Sequence, residues 1–225
     1  MPQLHPDSRE LASRIDHTLL RADAGAADVE RLCAEAREYD FFGVCVGSAW
    51  VSLAGNLLSG TDVRVVSVAG FPLGNASVSA KCFEAAAALK NGASEIDAVL
   101  NIGRLKQGDH RYVEGELKEL VRACEGHPIK VIIETCLLTR EEKVRACGLI
   151  VESGAAFVKT STGFSSSGAT VEDIALLRRC MDDRGGVKAS GGIRDTKTAF
   201  EMIRAGADRL GTSSSVAIVS GTAID

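Results

Sequence analysis

Two lysines occur within apolar segments of the chain, where a charged side chain needs a chemical explanation. Lys159 ends the run Phe157-Val158-Lys159, and Lys188 lies in Gly186-Val187-Lys188-Ala189. Lysines usually lie on exposed helix faces because burying an ammonium group is costly. If these segments are neighbouring parallel strands, which run about 4.8 Å apart, both amines point into one site. Each charge then disfavours the other, and partial burial disfavours both. One amine is therefore expected to be an uncharged nucleophile that forms an imine with a carbonyl.

A structural explanation for the two lysines is also open, in which each one pairs with a carboxylate at a strand end. Asp16 and Asp97 occupy such positions in other apolar segments. Two lysines on neighbouring strands beside two carboxylates favour catalysis over simple charge pairing. The spacing alone does not decide which of Lys159 and Lys188 is the nucleophile.

Loops rich in glycine and serine follow the last two expected strands and indicate an anion site. These loops are Gly191-Gly192-Ile193 and Gly211-Thr212-Ser213-Ser214-Ser215. Glycine lets a backbone approach a ligand closely, and hydroxyl and N–H groups donate hydrogen bonds to phosphate. Thr160-Ser161-Thr162-Gly163, directly after Lys159, adds hydroxyl groups at the same rim. We therefore expect the substrate to be a small phosphorylated aldehyde.

Short apolar strands alternate with helices in an order that would position these residues. At Gly92, Gly154 and Gly206 a helical stretch ends at a glycine and an apolar strand follows at once. The expected strands lie within 14–17, 39–46, 63–68, 95–100, 129–134, 156–159, 186–189 and 208–211. The expected helices are 28–39, 79–91, 111–125, 139–153, 170–183 and 196–205, in which apolar residues recur at spacings of three and four.

Eight strand–helix units in 225 residues predict an α/β protein that is a single (β/α)8 TIM barrel over residues 1–225, with a short N-terminal helix. The active site of such a barrel lies at the carboxyl ends of the strands. An open doubly wound sheet is the fallback. No Gly-x-Gly-x-x-Gly follows the first expected strand, which disfavours a dinucleotide-binding sheet.

Composition excludes several other classes of protein. The net charge is −4 with both signs interspersed, and no basic stripe is available to bind nucleic acid. The seven cysteines are scattered without a Cys-x-x-Cys pair, which favours a reducing, cytoplasmic location. No apolar run approaches the ~20 residues of a membrane span, and the polar segment from Met1 to Arg14 does not predict a secretory leader.

The histidines and cysteines form no metal-ligand pattern. The sequence has no His-x-x-x-His and no clustered thiolates, which are the usual spacings of a zinc site. We therefore expect neither a metal ion nor another cofactor.

Together these motifs resemble those of the deoxyribose-phosphate aldolase family, and the resemblance covers nearly the whole chain. The motifs are Ile15-Asp16-His17-Thr18-Leu19-Leu20, Glu95-Ile96-Asp97, Phe157-Val158-Lys159-Thr160-Ser161-Thr162-Gly163, Val187-Lys188-Ala189-Ser190-Gly191-Gly192-Ile193-Arg194 and Gly211-Thr212-Ser213-Ser214. The resemblance implies a class I aldolase, a carbon–carbon lyase of deoxyribose phosphate catabolism. Such an enzyme reversibly cleaves 2-deoxy-D-ribose 5-phosphate to acetaldehyde and D-glyceraldehyde 3-phosphate.

The resemblance also implies roles for individual residues. Lys159 would be the Schiff-base lysine, Asp97 and Lys188 would relay protons, and Asp16 would support them. The expected substrate-binding residues are Asp16, Thr18, Thr162, Gly163, Gly191, Gly192, Ser213 and Ser214. A homodimer is suggested as well. Some family members end in a tyrosine implicated in proton transfer, but this chain ends Thr222-Ala223-Ile224-Asp225, so that role is not carried over.

Two alternative functions remain open at this level. The chain could be another Schiff-base TIM-barrel aldolase that acts on a different phosphorylated sugar. It could also be a non-catalytic phosphate-binding barrel.

Overall fold

Eight parallel strands close into a barrel in the computed structural model, which describes residues 8–221. Each strand pairs with the next along the chain, and β8 pairs with β1. The strands are β1 (Ile15–Leu19), β2 (Gly43–Val46), β3 (Arg64–Ala69), β4 (Glu95–Val99), β5 (Ile129–Ile132), β6 (Phe157–Lys159), β7 (Gly186–Ser190) and β8 (Arg209–Thr212). The TIM barrel predicted from the sequence is confirmed, and the doubly wound alternative is wrong.

Helices connect the strands and surround the barrel. They are α1 (Ser8–Ala12), α2 (Ala26–Glu38), α3 (Val51–Leu57), α4 (Val78–Lys90), α5 (Ile102–Lys106), α6 (His110–Ala123), α7 (Arg140–Ser153), α8 (Val171–Met181), α9 (Thr196–Arg204) and α10 (Ser215–Ser220). The six longer helices and the short N-terminal helix were expected. Helices α3, α5 and α10 are not predicted from the sequence, because five to seven residues are too few to show a helical repeat of apolar positions.

Side-chain hydrogen bonds fix the starts of several helices. Thr139 and Glu142 form a reciprocal capping box at the start of α7. The side chains of Thr170 and Asp195 accept hydrogen bonds from backbone N–H groups in the first turns of α8 and α9. Since these caps define where each helix begins, they also set the lengths of the loops at the mouth of the barrel.

The apolar core lies mainly between the strands and the helices, and the barrel interior is different. Along β5, Ile129 and Val131 belong to the main core, whereas Lys130 between them points inward because successive side chains of a strand alternate. A small apolar cluster inside the barrel consists of Cys45, Val66 and Val68. The rest of the interior is dominated by buried charged residues, and this polarity sets the chemistry of the site.

Two expectations concern chain ends that lie outside the described residues. The polar start of the chain includes residues 1–7, and the segment without a tyrosine is residues 222–225. Within residues 8–221, no helix is long and apolar enough to cross a bilayer.

Candidate active site

The register of the barrel places Lys159 and Lys188 side by side. Their Cα atoms are direct partners across β6 and β7, and both side chains are buried. Nζ of Lys159 lies 2.7 Å from Oδ2 of Asp97, and Nζ of Lys188 lies 2.8 Å from the same oxygen. The two amines therefore share one carboxylate oxygen, so the structure brings together all three of the expected catalytic residues.

Asp97 is the centre of this group. Its carboxylate is fully buried, yet its pKa lies well below the ordinary value because Lys130, Lys159 and Lys188 outweigh the cost of burial. Oδ1 accepts a hydrogen bond from Lys130 at 2.9 Å. Asp97 is therefore ionised at neutral pH and has a defined partner for each oxygen.

Asp16 lies deeper in the barrel than is expected of a substrate-binding residue. It is fully buried, accepts a hydrogen bond from Lys188, and lies 2.9 Å from a guanidinium nitrogen of Arg209. Burial acts to raise the pKa of Asp16, but the nearby cations Lys188, Lys130 and Arg209 lower it by more. The net shift of the Asp16 pKa is therefore downward. Asp16 is not among the residues that line the cavity described below.

The two site lysines have opposite acid–base properties. The pKa of Lys159 is lowered, mainly by burial and also by Lys188, although Asp97 opposes the shift. Burial also acts to lower the pKa of Lys188, but Asp16 and Asp97 outweigh it and raise that pKa. Lys159 is thus the amine that loses its proton more easily, while Lys188 stays an ammonium ion. Burial contributes more to the lowered pKa of Lys159 than the repulsion between the amines that the sequence suggested, and the second carboxylate, Asp16, sets Lys188 apart.

An open cavity of about 310 Å³ lies above Lys159 at the carboxyl ends of the strands. It includes seven of the expected substrate-binding residues, namely Thr18, Thr162, Gly163, Gly191, Gly192, Ser213 and Ser214. The cavity therefore joins the amine of Lys159 to the glycine- and serine-rich loops after β6, β7 and β8.

The loop after β7 bends through two consecutive glycines with left-handed backbones. The φ angles are +82° at Gly191 and +78° at Gly192, a region that other residues adopt at a cost. A Cβ atom at Gly191 would lie 2.9 Å from the Cα atom of Gly168. Glycine is therefore required at Gly191 for the close approach of the loops after β6 and β7.

Several hydroxyl groups at the cavity are already engaged within the protein. Thr162 donates to the carboxylate of Glu134, and Thr18 donates to the backbone oxygen of Asp16 at 2.8 Å. The backbone N–H of Ser214 donates to the hydroxyl of Thr212 at 2.9 Å. These contacts hold the rim in one shape, and the hydroxyl oxygens of Thr18 and Thr162 keep lone pairs that can accept further hydrogen bonds.

Two arginines at the cavity were not identified from the sequence. Arg21 and Arg194 both line it and bring positive charge to its wall. Arg21 is held by Asp23 at 2.8 Å and by Asp28 at 2.5 Å. Arg194 directly follows the Gly191-Gly192-Ile193 loop in the sequence. A guanidinium group next to a glycine turn is the pattern from which this residue could have been predicted to bind an anion.

Three charged residues beneath the site were also missed. Lys130, Glu95 and Arg209 are buried inside the barrel and join Asp97 to Asp16. Lys130 has the same sequence signal as the two site lysines, because it lies within the apolar strand β5. Among the described residues, no group of three or more His, Cys, Asp and Glu side chains is arranged to hold a metal ion.

The chain is similar to known proteins over nearly its whole length. A family model described as DeoC/LacD family aldolase matches residues 11–223. Deoxyribose-phosphate aldolase from Geobacillus sp. (strain WCH70) is 54% identical over 212 residues, which cover 94% of this chain and 95% of the relative. The protein of the same name from Brevibacillus brevis is 55% identical over 207 residues, which cover 92% and 94%.

A solved structure gives the same result at lower sequence identity. It is described as a unique tetrameric structure of deoxyribose phosphate aldolase from Aeropyrum pernix. It superimposes with a TM-score of 0.88 at 34% identity, and the match covers 94% of this chain and 90% of that one.

Proposed function

The chain belongs to the DeoC/LacD family of aldolases, and we propose that it is a class I deoxyribose-phosphate aldolase whose Schiff-base residue is Lys159. The reaction is the reversible cleavage of 2-deoxy-D-ribose 5-phosphate to acetaldehyde and D-glyceraldehyde 3-phosphate. One observation carries the assignment of the site. The amine with the lowered pKa, Lys159, borders the cavity, and its carboxylate partner Asp97 also binds Lys188, whose pKa is raised by Asp16 and Asp97.

The first stage is formation of the imine. Neutral Lys159 attacks the aldehyde carbon of the open-chain substrate and gives a carbinolamine, which loses water to give a protonated imine. Lys188 donates a proton to the departing hydroxyl group through Asp97 or a bound water molecule. Each positioned acid or base of this kind contributes about 10²–10⁴-fold to the rate.

The second stage is cleavage of the carbon–carbon bond. The protonated imine withdraws electrons, so the C2–C3 bond breaks as the C3 hydroxyl proton is removed and the C3 oxygen becomes the aldehyde of glyceraldehyde 3-phosphate. The electron pair of the broken bond forms an enamine on Lys159. Protonation at C2 and hydrolysis by water then release acetaldehyde and return Lys159 to the free amine. Asp97 and Lys188 are the groups proposed to move these protons.

The phosphate group of the substrate is proposed to bind at the opposite end of the cavity. Gly191, Gly192, Ser213 and Ser214 provide close backbone approach and donors, and Arg194 adds a positive charge. This end of the cavity is polar and partly exposed, which suits a dianion that keeps some hydration. The aldehyde carbon then lies at Lys159.

Reductive trapping tests this proposal directly. Incubation with 2-deoxyribose 5-phosphate and borohydride should add the reduced substrate or acetaldehyde fragment to Lys159, as shown by peptide mass mapping. Unlabelled Lys159 in an active enzyme would refute the assignment. Comparing cleavage rates for several sugar phosphates separates this activity from that of an aldolase with another substrate, and ligand binding without turnover would indicate a non-catalytic barrel.

The location and assembly of the protein follow as further proposals. All seven cysteines are free thiols, which supports a reducing compartment and therefore the cytoplasm. We expect a homodimer, and Phe83, 78% exposed on α4, is an apolar group that an interface could cover. Light scattering coupled to size-exclusion chromatography measures the oligomeric state.

A further inference from the structure

Lys130 holds the oxygen of Asp97 that the two site lysines leave unused. Nζ of Lys130 lies 2.9 Å from Oδ1 of Asp97 and 2.5 Å from Oε2 of Glu95. Lys130 and Asp97 are also direct Cα partners across β5 and β4. The carboxylate of Asp97 is therefore fixed in rotation, with Oδ1 towards Lys130 and Oδ2 towards Lys159 and Lys188.

Glu95 is in turn held between two cations at the amino-terminal end of the barrel. A guanidinium nitrogen of Arg209 lies 3.4 Å from Oε2 of Glu95 and 2.9 Å from Oδ1 of Asp16. The guanidinium carbon of Arg209 lies 3.2 Å from the ring centroid of Phe42. These contacts connect the lower end of the barrel interior to the carboxylates at the reacting end.

When every lysine is protonated, this buried network carries one more positive charge than it has negative charges. Its four cations are Lys130, Lys159, Lys188 and Arg209, and its three carboxylates are Asp16, Glu95 and Asp97. A buried network in a medium of low dielectric constant disfavours net charge. Lys159 has one carboxylate partner, Asp97, whereas each of the other three cations contacts at least two carboxylates. Loss of the proton from Lys159 therefore neutralises the network and sacrifices the fewest ion pairs.

We propose that Lys130 and Glu95 are positioning residues that act on Lys159 through Asp97. The inference rests on the proposed imine chemistry. Lys130 orients Asp97 so that Oδ2 serves both amines. Glu95 cancels the charge of Lys130, so that the network keeps one cation in excess and Lys159 is the residue that gives up a proton. Neither residue is among those that line the cavity.

Among the described residues, the buried titratable and charged groups of the barrel interior and rim around Lys159 are all included in this count except Cys45 and Glu134. They are Asp16 of β1, Cys45 of β2, Glu95 and Asp97 of β4, Lys130 of β5, Glu134 after β5, Lys188 of β7 and Arg209 of β8. Burial raises the pKa of the Cys45 thiol to about 11, so it carries no charge at neutral pH. Glu134 binds Thr162 at the rim and keeps its own partners.

The test uses three variants whose charges predict opposite results. Lys130→Met removes the excess cation, so Lys159 should keep its proton to higher pH. The acid limb of kcat/KM, and of the rate of borohydride-trappable imine formation, should then move up by about one pH unit or more. Glu95→Gln adds to the excess of positive charge and should move the same limb down. The double variant Lys130→Met/Glu95→Gln keeps one excess cation and should return the limb towards the wild-type position.

A matched buried ion pair outside the barrel provides the control. Nζ of Lys81 lies 2.8 Å from Oε1 of Glu116, and both side chains are fully buried between α4 and α6. Lys81→Met and Glu116→Gln should lower stability and leave the acid limb in place. Urea unfolding of every variant separates loss of fold from a change in protonation.

The possible outcomes distinguish this inference from the proposed function. If wild-type Lys159 is not trapped, the proposed function fails. If Lys159 is trapped and the limbs of the two single variants move in the same direction or stay in place, the positioning role of Lys130 and Glu95 is wrong. If Lys130→Met does not fold, Glu95→Gln and the double variant decide: a downward shift that the second substitution reverses supports the inference, and any other result overturns it.

Discussion

Gly211 on β8 leaves the space that the side chain of Lys188 occupies. A Cβ atom at position 211 would lie 3.0 Å from Cε of Lys188 and 3.8 Å from its Nζ. The Cβ atom of Ser190 would be 3.2 Å away from the same point. The absence of a side chain on one strand therefore lets the lysine of the neighbouring strand reach both Asp16 and Asp97.

Gly211→Ala is expected to displace Lys188 and lower kcat. Overpacking at such a site costs about 1–3 kcal/mol of unfolding free energy. Displacement of a proton-transfer group lowers the rate by ~10²-fold, the lower end of what a positioned acid or base contributes. Steady-state kinetics and urea unfolding measure both effects.

A helical glycine provides the control for this substitution. Gly115 is exposed in α6, and a Cβ atom there meets no atom within 4 Å. Gly115→Ala should raise stability by about 0.5–1 kcal/mol and leave kcat unchanged. Wild-type kcat in Gly211→Ala would show that Lys188 tolerates displacement.

Lys159→Arg is expected to abolish turnover while preserving charge and much of the volume. A guanidinium group keeps its proton at all accessible pH values, so it cannot attack the aldehyde. The variant should give no imine adduct on borohydride treatment and no acetaldehyde in a coupled assay. Lys197 is 86% exposed, so Lys197→Arg is the control and should retain full activity. Measurable wild-type rates in Lys159→Arg would exclude the Schiff-base role.

The fold was predictable from the sequence, and the candidate site residues could be proposed from it, because each left a local pattern. Apolar strands after helix-ending glycines defined the barrel, and lysines within such strands pointed to the site. The depth at which a strand residue lies inside the barrel leaves no comparable pattern in the sequence. Asp16 and Asp97 look alike in sequence, but only the three-dimensional register shows that Asp16 joins Lys188 to Arg209 below the cavity.

Lys130 and Arg209 show why the ion network was not predicted. The sequence predicts an ordinary apolar strand around Lys130, although its neighbours Ile129 and Val131 are as apolar as Val187 and Ala189, the neighbours of Lys188. Arg209 follows Asp208 at the start of β8, where a charged pair is expected at a strand end. Charge balance among strands far apart in sequence depends on closure of the barrel, which spacing along the chain does not describe.

Acid should destabilise the protein through Asp97 and Asp16. Both carboxyl groups have a folded-state pKa below the ordinary value of 3.8. The stability that they contribute is therefore present above about pH 4 and is lost as pH falls through their folded pKa values. The free energy of unfolding should decrease steadily below that value in urea titrations at successive pH values.

Asp97→Asn isolates the contribution of one carboxylate to this acid sensitivity. At pH 7 the variant should lose about 3–5 kcal/mol because it leaves buried cations without their partner. The difference from wild type should shrink as pH falls below 4, since the wild-type carboxylate is then being protonated. The exposed Asp183→Asn control should follow the wild-type curve. A constant difference at every pH would show that Asp97 is not ionised in the folded protein.

Arg194→Ala is expected to weaken substrate binding more than it slows chemistry. Arg194 lines the cavity directly after the Gly191-Gly192-Ile193 loop, where the phosphate is proposed to bind, so its guanidinium group is expected to hold phosphate and not to move a proton. KM for 2-deoxyribose 5-phosphate should rise about 10- to 100-fold, in line with loss of a charge-assisted hydrogen bond. The kcat value should change by less than about threefold, because the lost contact stabilises the bound substrate and the transition state equally.

Unphosphorylated 2-deoxyribose separates phosphate binding from a general loss of structure in Arg194→Ala. Its kcat/KM should be nearly the same in the variant and the wild type, because the contact proposed for Arg194 is with the phosphate that this substrate lacks. Arg204, whose guanidinium carbon lies 5.8 Å from the ring centroid of Phe200, provides a matched arginine outside the cavity. Arg204→Ala should leave kcat/KM unchanged for both substrates. Equal losses of kcat/KM for the two substrates in Arg194→Ala would show that the phosphate does not bind at the loop after β7.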